Sequence, residues 1–533
     1  MVFFLIFSAA IIIACVFLNQ VSGKVGVPAL LFFLVLGLLF RNSTDMADVA
    51  GTIGNLCTVA LIFIMFYGGF GTSWKSARPV VRDAGLLATV GVALTAALTG
   101  LFCHYCLRWE WAESFLMGAV ISSTDAASVF SILRTRKLGL RNNTASLIEV
   151  ESGSNDPVSY MLTAVMMSVI AGKATPGMVV WTIFSQLAFG AIFGLVIAQA
   201  SVFLLRRFKI DNDGFLSMLV LAIAILSYAV PAAVGGNGYL SAYIVGIVMG
   251  NNDFHGRKPL IHFFDGVTSM MQIFIFFMLG LLGRPANLAA MFVPAVLIFL
   301  FLTLVARPLA VAGVLSPMGG FRKYPLRQQA LVSFVGLRGA ASIVFAIGVL
   351  ASGIPTGHDI FSIVFAIVLI SIALQGSLIP QVAKSLDMID KDADVMKTFS
   401  DYSDSAEINF GTAYISETSQ WKDRSIKEIK MPQGLLVAMI LRDGKEIIPD
   451  GDTVFRAGDE IVFCTRTFNR KKEPATLIEH PLPQNSKWDG RIVKEYPKRE
   501  DSLLVMIRRG DEVIVPKGHT ELKGGDVLVM LKR

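Results

Sequence analysis

The sequence predicts an all-α polytopic membrane protein of about thirteen transmembrane helices, followed by a small β-rich α+β cytoplasmic tail. Three observations carry that expectation. Of 533 residues, 54% are hydrophobic and only 16% charged, and the mean hydropathy is +0.62, outside the range of soluble globular chains of this size. Apolar runs long enough to cross a bilayer recur as far as Pro380. Beyond it the hydropathy collapses, and Asp387 to Ser405 is an acidic, polar connector to a tail with an internal repeat.

A spanning helix needs roughly 20 apolar residues. Such runs fall near 2–19, 25–41, 54–72, 84–107, 113–133, 145–171, 177–205, 215–233, 237–251, 264–283, 288–315, 328–350 and 359–383. The first, Val2 to Leu18, lacks the basic leading segment and small-residue cleavage site of a signal peptide, so it reads as a span. The loops after odd-numbered spans carry clusters such as Arg134, Arg136, Lys137 and Arg141, or Arg322, Lys323 and Arg327. The even-numbered loops hold only Arg41, Arg108, Lys173 and Arg284. By the positive-inside rule the N-terminus is outside and the tail cytoplasmic, in a multi-pass protein of the inner (cytoplasmic) membrane. The net charge of +7 therefore reports orientation in the lipid bilayer, and no nucleic-acid footprint is visible. Five scattered cysteines, with Cys103 and Cys106 as an isolated C-x-x-C, suggest neither a disulfide nor a metal.

The most informative stretch is Glu149-Val150-Glu151-Ser152-Gly153-Ser154-Asn155-Asp156-Pro157, which runs directly into a membrane-grade apolar segment. A carboxylate inside a bilayer is costly and marks an ion or proton pathway. Ser152 and Asp156, and likewise Glu151 and Asn155, are four apart, so a helix aligns each pair on one side. Ser152, Asn155 and Asp156 then gather oxygen atoms around one turn, the ligand type that hard cations such as sodium and potassium favour. Helix capping alone would explain polar residues at an entrance. It would not explain a second buried acid, Asp125, halfway along the fifth span.

That span reads Ser122-Ser123-Thr124-Asp125-Ala126-Ala127-Ser128, small and hydroxyl residues of the kind found where a membrane helix is interrupted. The twelfth span carries Gly336-Leu337-Arg338-Gly339-Ala340, with Arg338 deep inside it and glycines permitting a break or a close approach. A buried arginine needs a partner. Glu151 is the best-fitting acid, and Arg307, before Pro308 in the eleventh span, competes for it. Arginine does not deprotonate in a protein, so both arginines read as architectural charges. If spans 1–6 and 8–13 are inverted repeats joined by span 7, the fifth and twelfth correspond.

The tail repeats at an offset of 67 residues. Trp421-Lys422-Asp423-Arg424 returns as Trp488-Asp489-Gly490-Arg491, and Pro449, Gly451, Thr453, Gly458 and Asp459 return as Pro516, Gly518, Thr520, Gly525 and Asp526. Each unit alternates short β-type runs with turn signals such as Asp443-Gly444. No dinucleotide-binding G-x-G-x-x-G or P-loop is present in the tail. The expected division is 1–385 for the transmembrane exchanger, 386–405 for a linker, and 406–470 and 485–533 for two tail modules.

Ser123-Thr124-Asp125, Glu151-Ser152-Gly153-Ser154-Asn155-Asp156-Pro157 and Gly336-Leu337-Arg338-Gly339-Ala340, in this order over about thirteen spans, resemble the bacterial sodium or potassium/proton antiporters of the cation/proton antiporter 1 family. The resemblance covers roughly residues 1–385. It implies a homodimer in which a core with two crossed, unwound helices moves against a dimerisation domain. It also implies that Asp156 alternately holds cation and proton, with Thr124 and Ser152 adding oxygens, Asp125 at the crossing, and Glu151 with a buried arginine bracing the core. Asn155 stands where electrogenic relatives carry a second aspartate, which implies electroneutral one-for-one exchange. Ala126-Ala127 stands where many relatives have proline. The tail units resemble the TrkA-C ligand-binding module, which in some relatives binds a cyclic dinucleotide; a regulatory nucleotide is thus the expected tail ligand, and no other cofactor is implied.

The physical core of such a transporter is competition. A proton and a metal cation each neutralise a carboxylate that the membrane disfavours bare, and coupling follows if only the neutralised forms cross. A ligand-gated potassium channel or uniporter is the main rival, but no T-V-G-Y-G type filter is present. A transport-dead sensor is a second rival. An enzyme fits least, since no nucleophile and base pair stands out and the six histidines lack metal spacing.

Overall fold

The computed structural model describes residues 13–15, 17–18, 29–40, 47–136, 138–208, 210, 212–254, 256–318 and 323–390. In the tail it describes 408–415, 419, 421–429, 435–442, 445–447, 449–466, 476–483, 486, 488–495, 502–509, 512–514, 516 and 520–532. Two compact units result, Met1–Ser405 and Ala406–Arg533.

The first unit is helical. In chain order the helices are α1 (Ala29–Leu39), α2 (Ala47–Gly71), α3 (Val81–Tyr105), α4 (Trp111–Ile121), α5 (Ala126–Thr135), α6 (Thr144–Ile170) and α7 (Pro176–Arg207). There follow α8 (Asp213–Ala233), α9 (Gly238–Gly250), α10 (Arg257–Leu282), α11 (Pro285–Leu315), α12 (Leu326–Phe334), α13 (Ala340–Ser352) and α14 (Ile360–Ser385). Eight helical stretches among the described residues are long and apolar enough to cross a membrane. Each expected span from the second onward has a helical counterpart, whereas the first, 2–19, lies almost wholly outside the described residues.

Two spans are split. The fifth breaks between α4 and α5 at Ser122–Asp125, and the twelfth between α12 and α13 at Val335–Gly339. An unwound stretch survives in a membrane only where protein groups replace the lost helical hydrogen bonds, and here the two breaks satisfy each other. The Asp125 amide donates to the Leu337 carbonyl at 2.8 Å. The Arg338 Nη1 donates to the carbonyls of Ser122 (2.8 Å) and Ser123 (2.6 Å). The helices thus cross as the resemblance implied. Their break needs no proline at Ala126-Ala127, because Asp125 Oδ1 accepts the Ser128 amide (3.2 Å) and restarts α5 as its N-cap.

A third element supports the crossing. α14 contains a π-helical turn at Ser371–Gly376, of the kind that recurs at functional sites. Ser371 Oγ accepts the Arg338 amide (3.1 Å), and Gln375 Nε2 donates to the Phe334 carbonyl (3.2 Å). The backbone freed by the second break is held from this side. A further π turn, Leu302–Ala306 in α11, immediately precedes the fully buried Arg307.

Beyond α14, strand β2 (Ile389–Asp390) pairs antiparallel with β1 (Gly139–Leu140), the short segment between α5 and α6. Arg141 reinforces the clasp, with Nη1 at 3.0 Å from the Asp387 carboxylate.

The tail unit holds two four-stranded antiparallel sheets of matching order. One is β3 (Ile408–Tyr414), β6 (Glu460–Arg466), β4 (Leu435–Arg442), β5 (Lys445–Ile447). The other is β7 (Thr476–Pro481), β10 (Val527–Lys532), β8 (Ser502–Arg509), β9 (Glu512–Ile514). The 67-residue repeat is structural: Arg442 forks onto Asp459 through two bonds of 2.7 Å, as Arg509 does onto Asp526 at 2.7 and 2.8 Å. The Arg442 hydrogen bonds hold the Asp459 carboxyl below its usual range.

The crossing leaves no room beside Asp125. A Cβ on Gly339 would lie 2.1 Å from Asp125 Oδ2, whereas one on Gly348, two turns along α13, would meet nothing within 4 Å. Overpacking of this kind costs about 1–3 kcal/mol. Gly339→Ala is therefore expected to lower the melting temperature of the detergent-purified protein by several degrees, and Gly348→Ala to leave it within error. Equal melting temperatures would refute the crossing geometry.

Candidate cation site at the helix crossing

α6 carries the site. Asp156 lies twelve residues from its start, about 18 Å along the axis, close to the middle of this 27-residue helix. Pro157 removes one helical N–H and frees the carbonyl of Gly153 in the preceding turn. Gly153 also admits a neighbour: a Cβ there would come within 2.6 Å of the Tyr243 hydroxyl on α9.

Against this turn of α6 lie the unwound residues of the fifth span. Ser123 Oγ donates to Asp156 Oδ1. Ser152 Oγ donates to the Thr124 carbonyl (2.6 Å) and accepts the Ala126 amide (2.8 Å), so it pairs backbone groups on both sides of Asp125. Asn155 Nδ2 donates to Thr124 Oγ1 (2.5 Å) and reaches Glu151 Oε1 at 3.3 Å. Ser128 Oγ donates to Asp125 Oδ2 (2.5 Å). The four-residue spacing thus does what the sequence suggested, and brings Ser152, Asn155 and Asp156 onto Thr124 and Ser123.

The charges divide unequally. Glu151, 1% exposed, pairs with Arg307 Nη2 at 2.9 Å. Of the two arginines that compete for Glu151 in the sequence, Arg307 takes it: the broken backbone of the fifth span offers Arg338 two carbonyls, and these occupy Nη1 instead. Asp125 is spent on capping α5. Asp156, in contrast, is hydrogen-bonded by a neutral hydroxyl and, at 9% exposure, lines a cavity of about 400 Å³ together with Thr124, Asp125 and Ser152.

These residues lie within a match to the transmembrane sodium/hydrogen exchanger family that covers residues 8–385. The chain belongs to this family. TrkA-C domains match at 412–467 and 477–531. The exchanger is 32% identical over 490 residues to the K(+)/H(+) antiporter NhaP2 of Shewanella sp. (strain ANA-3), covering 90% of this chain and 84% of that protein. It is 32% identical over 455 residues to the K(+)/H(+) antiporter NhaP of Alkalimonas amylolytica, covering 83% and 78% respectively. Its fold matches the sodium proton antiporter MjNhaP1 from Methanocaldococcus jannaschii with a TM-score of 0.62 and 20% identity, over 69% of this chain and 97% of that one.

Four residues of the exchanger escaped the sequence reading as site or support residues. Ser123 was visible only as part of a motif, yet it bonds Asp156 directly. Ser371 and Gln375 brace the second break, and a glutamine in an otherwise apolar span was the available signal. Asn237, the N-cap of α9, donates to the Pro157 carbonyl at 2.7 Å and so ties α9 to the site turn.

Removing one member of a buried ion pair costs about 3–5 kcal/mol, because the other is left charged and unpaired. Arg307→Ala should thus destabilise the exchanger strongly in fluorescence-detected size exclusion after heating. The double variant Glu151→Gln, Arg307→Ala should recover part of that loss; additive losses would show that the two do not act as a pair.

Proposed function

We propose that this exchanger swaps a monovalent cation, potassium or sodium, for a proton at Asp156 by alternating access across the cytoplasmic membrane. One observation carries the reading: of the three carboxylates that meet at the crossing, Asp125, Glu151 and Asp156, it is Asp156 that lines the cavity without a structural duty. Glu151 is committed to Arg307 and Asp125 to the α5 cap. Thr124 and Ser152 supply further oxygens beside it, and Asn155 holds Thr124 in place.

The commitments of the charges at the crossing support electroneutral exchange. With Glu151 paired to Arg307 and Asp125 engaged on the α5 cap, Asp156 is the carboxylate of these three left to carry a negative charge at the cavity. One proton or one monovalent cation neutralises it, and the neutral forms are the ones a low-dielectric barrier passes most readily. Had Asn155 been an aspartate, a second counter-charge would be needed. The names of the two antiporter relatives favour potassium over sodium. A ligand-gated potassium channel finds no support, since the path runs to a single carboxylate rather than a carbonyl-lined filter.

The cavity lining takes residues from the first halves of α6 and α10, Glu149 and Asp156 on one and Asp265 on the other. By alternation of spans both helices start on the side on which β1 and β2 lie. With the orientation that the loop charges suggest, N-terminus outside and tail cytoplasmic, an inward-facing arrangement belongs to this reading. A homodimer and control of exchange by a nucleotide bound to the TrkA-C modules belong to the same reading.

Two measurements test it. In everted vesicles, addition of potassium or sodium should dequench a pH-sensitive dye, and Asp156→Asn should abolish the response while the protein still elutes as a folded species; retained exchange would overturn the assignment. In proteoliposomes, the rate should be insensitive to an imposed membrane potential, since one charge moves each way. A potential-driven acceleration would rule out one-for-one stoichiometry.

A further inference from the structure

The cavity that reaches Asp156 has a second polar wall. On α10, Asp265, Thr268, Ser269 and Gln272 line it at spacings of three, one and three residues, which places them on one helix face. Four carboxylates line the cavity, Asp125, Glu149, Asp156 and Asp265, and no lysine, arginine or histidine does so among the described residues. A low-dielectric cleft of one sign raises the local concentration of counter-ions.

Acidity alone would make a funnel, not a site. Thr268 adds the second observation. A threonine in a helix usually satisfies its hydroxyl on the carbonyl four residues back, as Thr72, Thr95, Thr99 and Thr163 do here at 2.7–2.8 Å. Thr268 does not: it is 8% exposed, and its Oγ1 has no hydrogen-bond partner among the described residues. A buried hydroxyl left unpaired is a standing cost unless something supplies the partner.

We propose that Asp265, Thr268 and Gln272 form a second station for the transported monovalent cation, where the ion waits with part of its water shell before it reaches Asp156. The chemistry fits, because carboxylate, hydroxyl and amide oxygens are the ligands a hard cation takes. The space fits as well, since about 400 Å³ accommodates a cation and several waters at about 30 Å³ each. The position fits too: Asp265 lies eight residues from the start of α10, about 12 Å along it, on the cavity that reaches Asp156. Tyr67, whose hydroxyl lies 3.4 Å from Asp265 Oδ1, orients that carboxylate.

This inference rests on the exchange reading, and its test separates the two. In everted vesicles, Thr268→Val and Asp265→Asn should each raise the half-saturating cation concentration about tenfold, equivalent to about 1.4 kcal/mol, while the maximal rate falls far less. Thr268→Ser should restore the wild-type value. Because Thr268→Val changes no charge, an unaltered half-saturation in that variant would reduce the wall to an electrostatic funnel and overturn the station. As a flux-independent check, purified Asp156→Asn protein should retain weak binding of radioactive rubidium that is lost when Thr268→Val is added. Absence of any residual binding would also overturn it. Failure of the wild-type protein to exchange at all would instead refute the parent reading.

Discussion

The structure depends on two interrupted helices that repair one another. In lipid there is no water to take up the carbonyls and amides that a break exposes, so each must find a partner within the protein. The fifth span exposes Ser122 and Ser123 carbonyls, and Arg338 from the twelfth span takes both. The twelfth exposes the Leu337 carbonyl, and the Asp125 amide takes it. Gly339 permits this because a side chain there would occupy the space of the Asp125 carboxylate. The crossing therefore fixes the position of Ser123 and Thr124, and through them the environment of Asp156.

From that constraint follows a division of labour among charges that look equivalent in the sequence. Arg338 is a backbone substitute whose charge balances the interrupted spans. Arg307, set after a π turn in α11, is the counter-ion of Glu151. Asp125 caps a half-helix. Once these duties are filled, Asp156 is left with the Ser123 hydroxyl as its hydrogen-bond donor and with the cavity beside it. On the function proposed above, a proton or a metal ion neutralises that carboxylate.

Much of this was legible in the sequence, and what was not has a physical reason. Hydrophobic run length fixes helix positions because the bilayer sets one dimension for all of them, and the i, i+4 spacing places Ser152 and Asp156 on a common face. The partner of Glu151 was not legible, because two buried arginines competed and the outcome turned on where the backbone breaks expose carbonyls. Nor were Ser371 and Gln375, since a π turn rotates side chains off the α-helical period from which faces are read. The α10 stripe of Asp265, Thr268 and Gln272 has helical spacing, but only its placement against Asp156 gives it meaning.

The site is also connected mechanically to the end of the membrane domain. β2 follows α14 within a few residues and pairs with β1, and β1 leads through Arg141 into the first turn of α6. The Arg141 amide donates to the Met388 carbonyl at 3.0 Å, and Thr144 Oγ1 donates to the Arg141 carbonyl at 2.5 Å. Between Met388 and Asp156 the path is thus a short strand pair, a tight turn at Asn142–Asn143 and three turns of continuous helix. Helices transmit axial displacement with little bending, so a shift of the segment at Ile389–Asp390 is borne either by breaking the clasp or by moving α6 against the unwound residues of the fifth span. The clasp is two residues long and partly exposed, whereas the contacts at Ser123 and Thr124 are buried and that at Ser123 is made to a carboxylate, so the clasp is the weaker link.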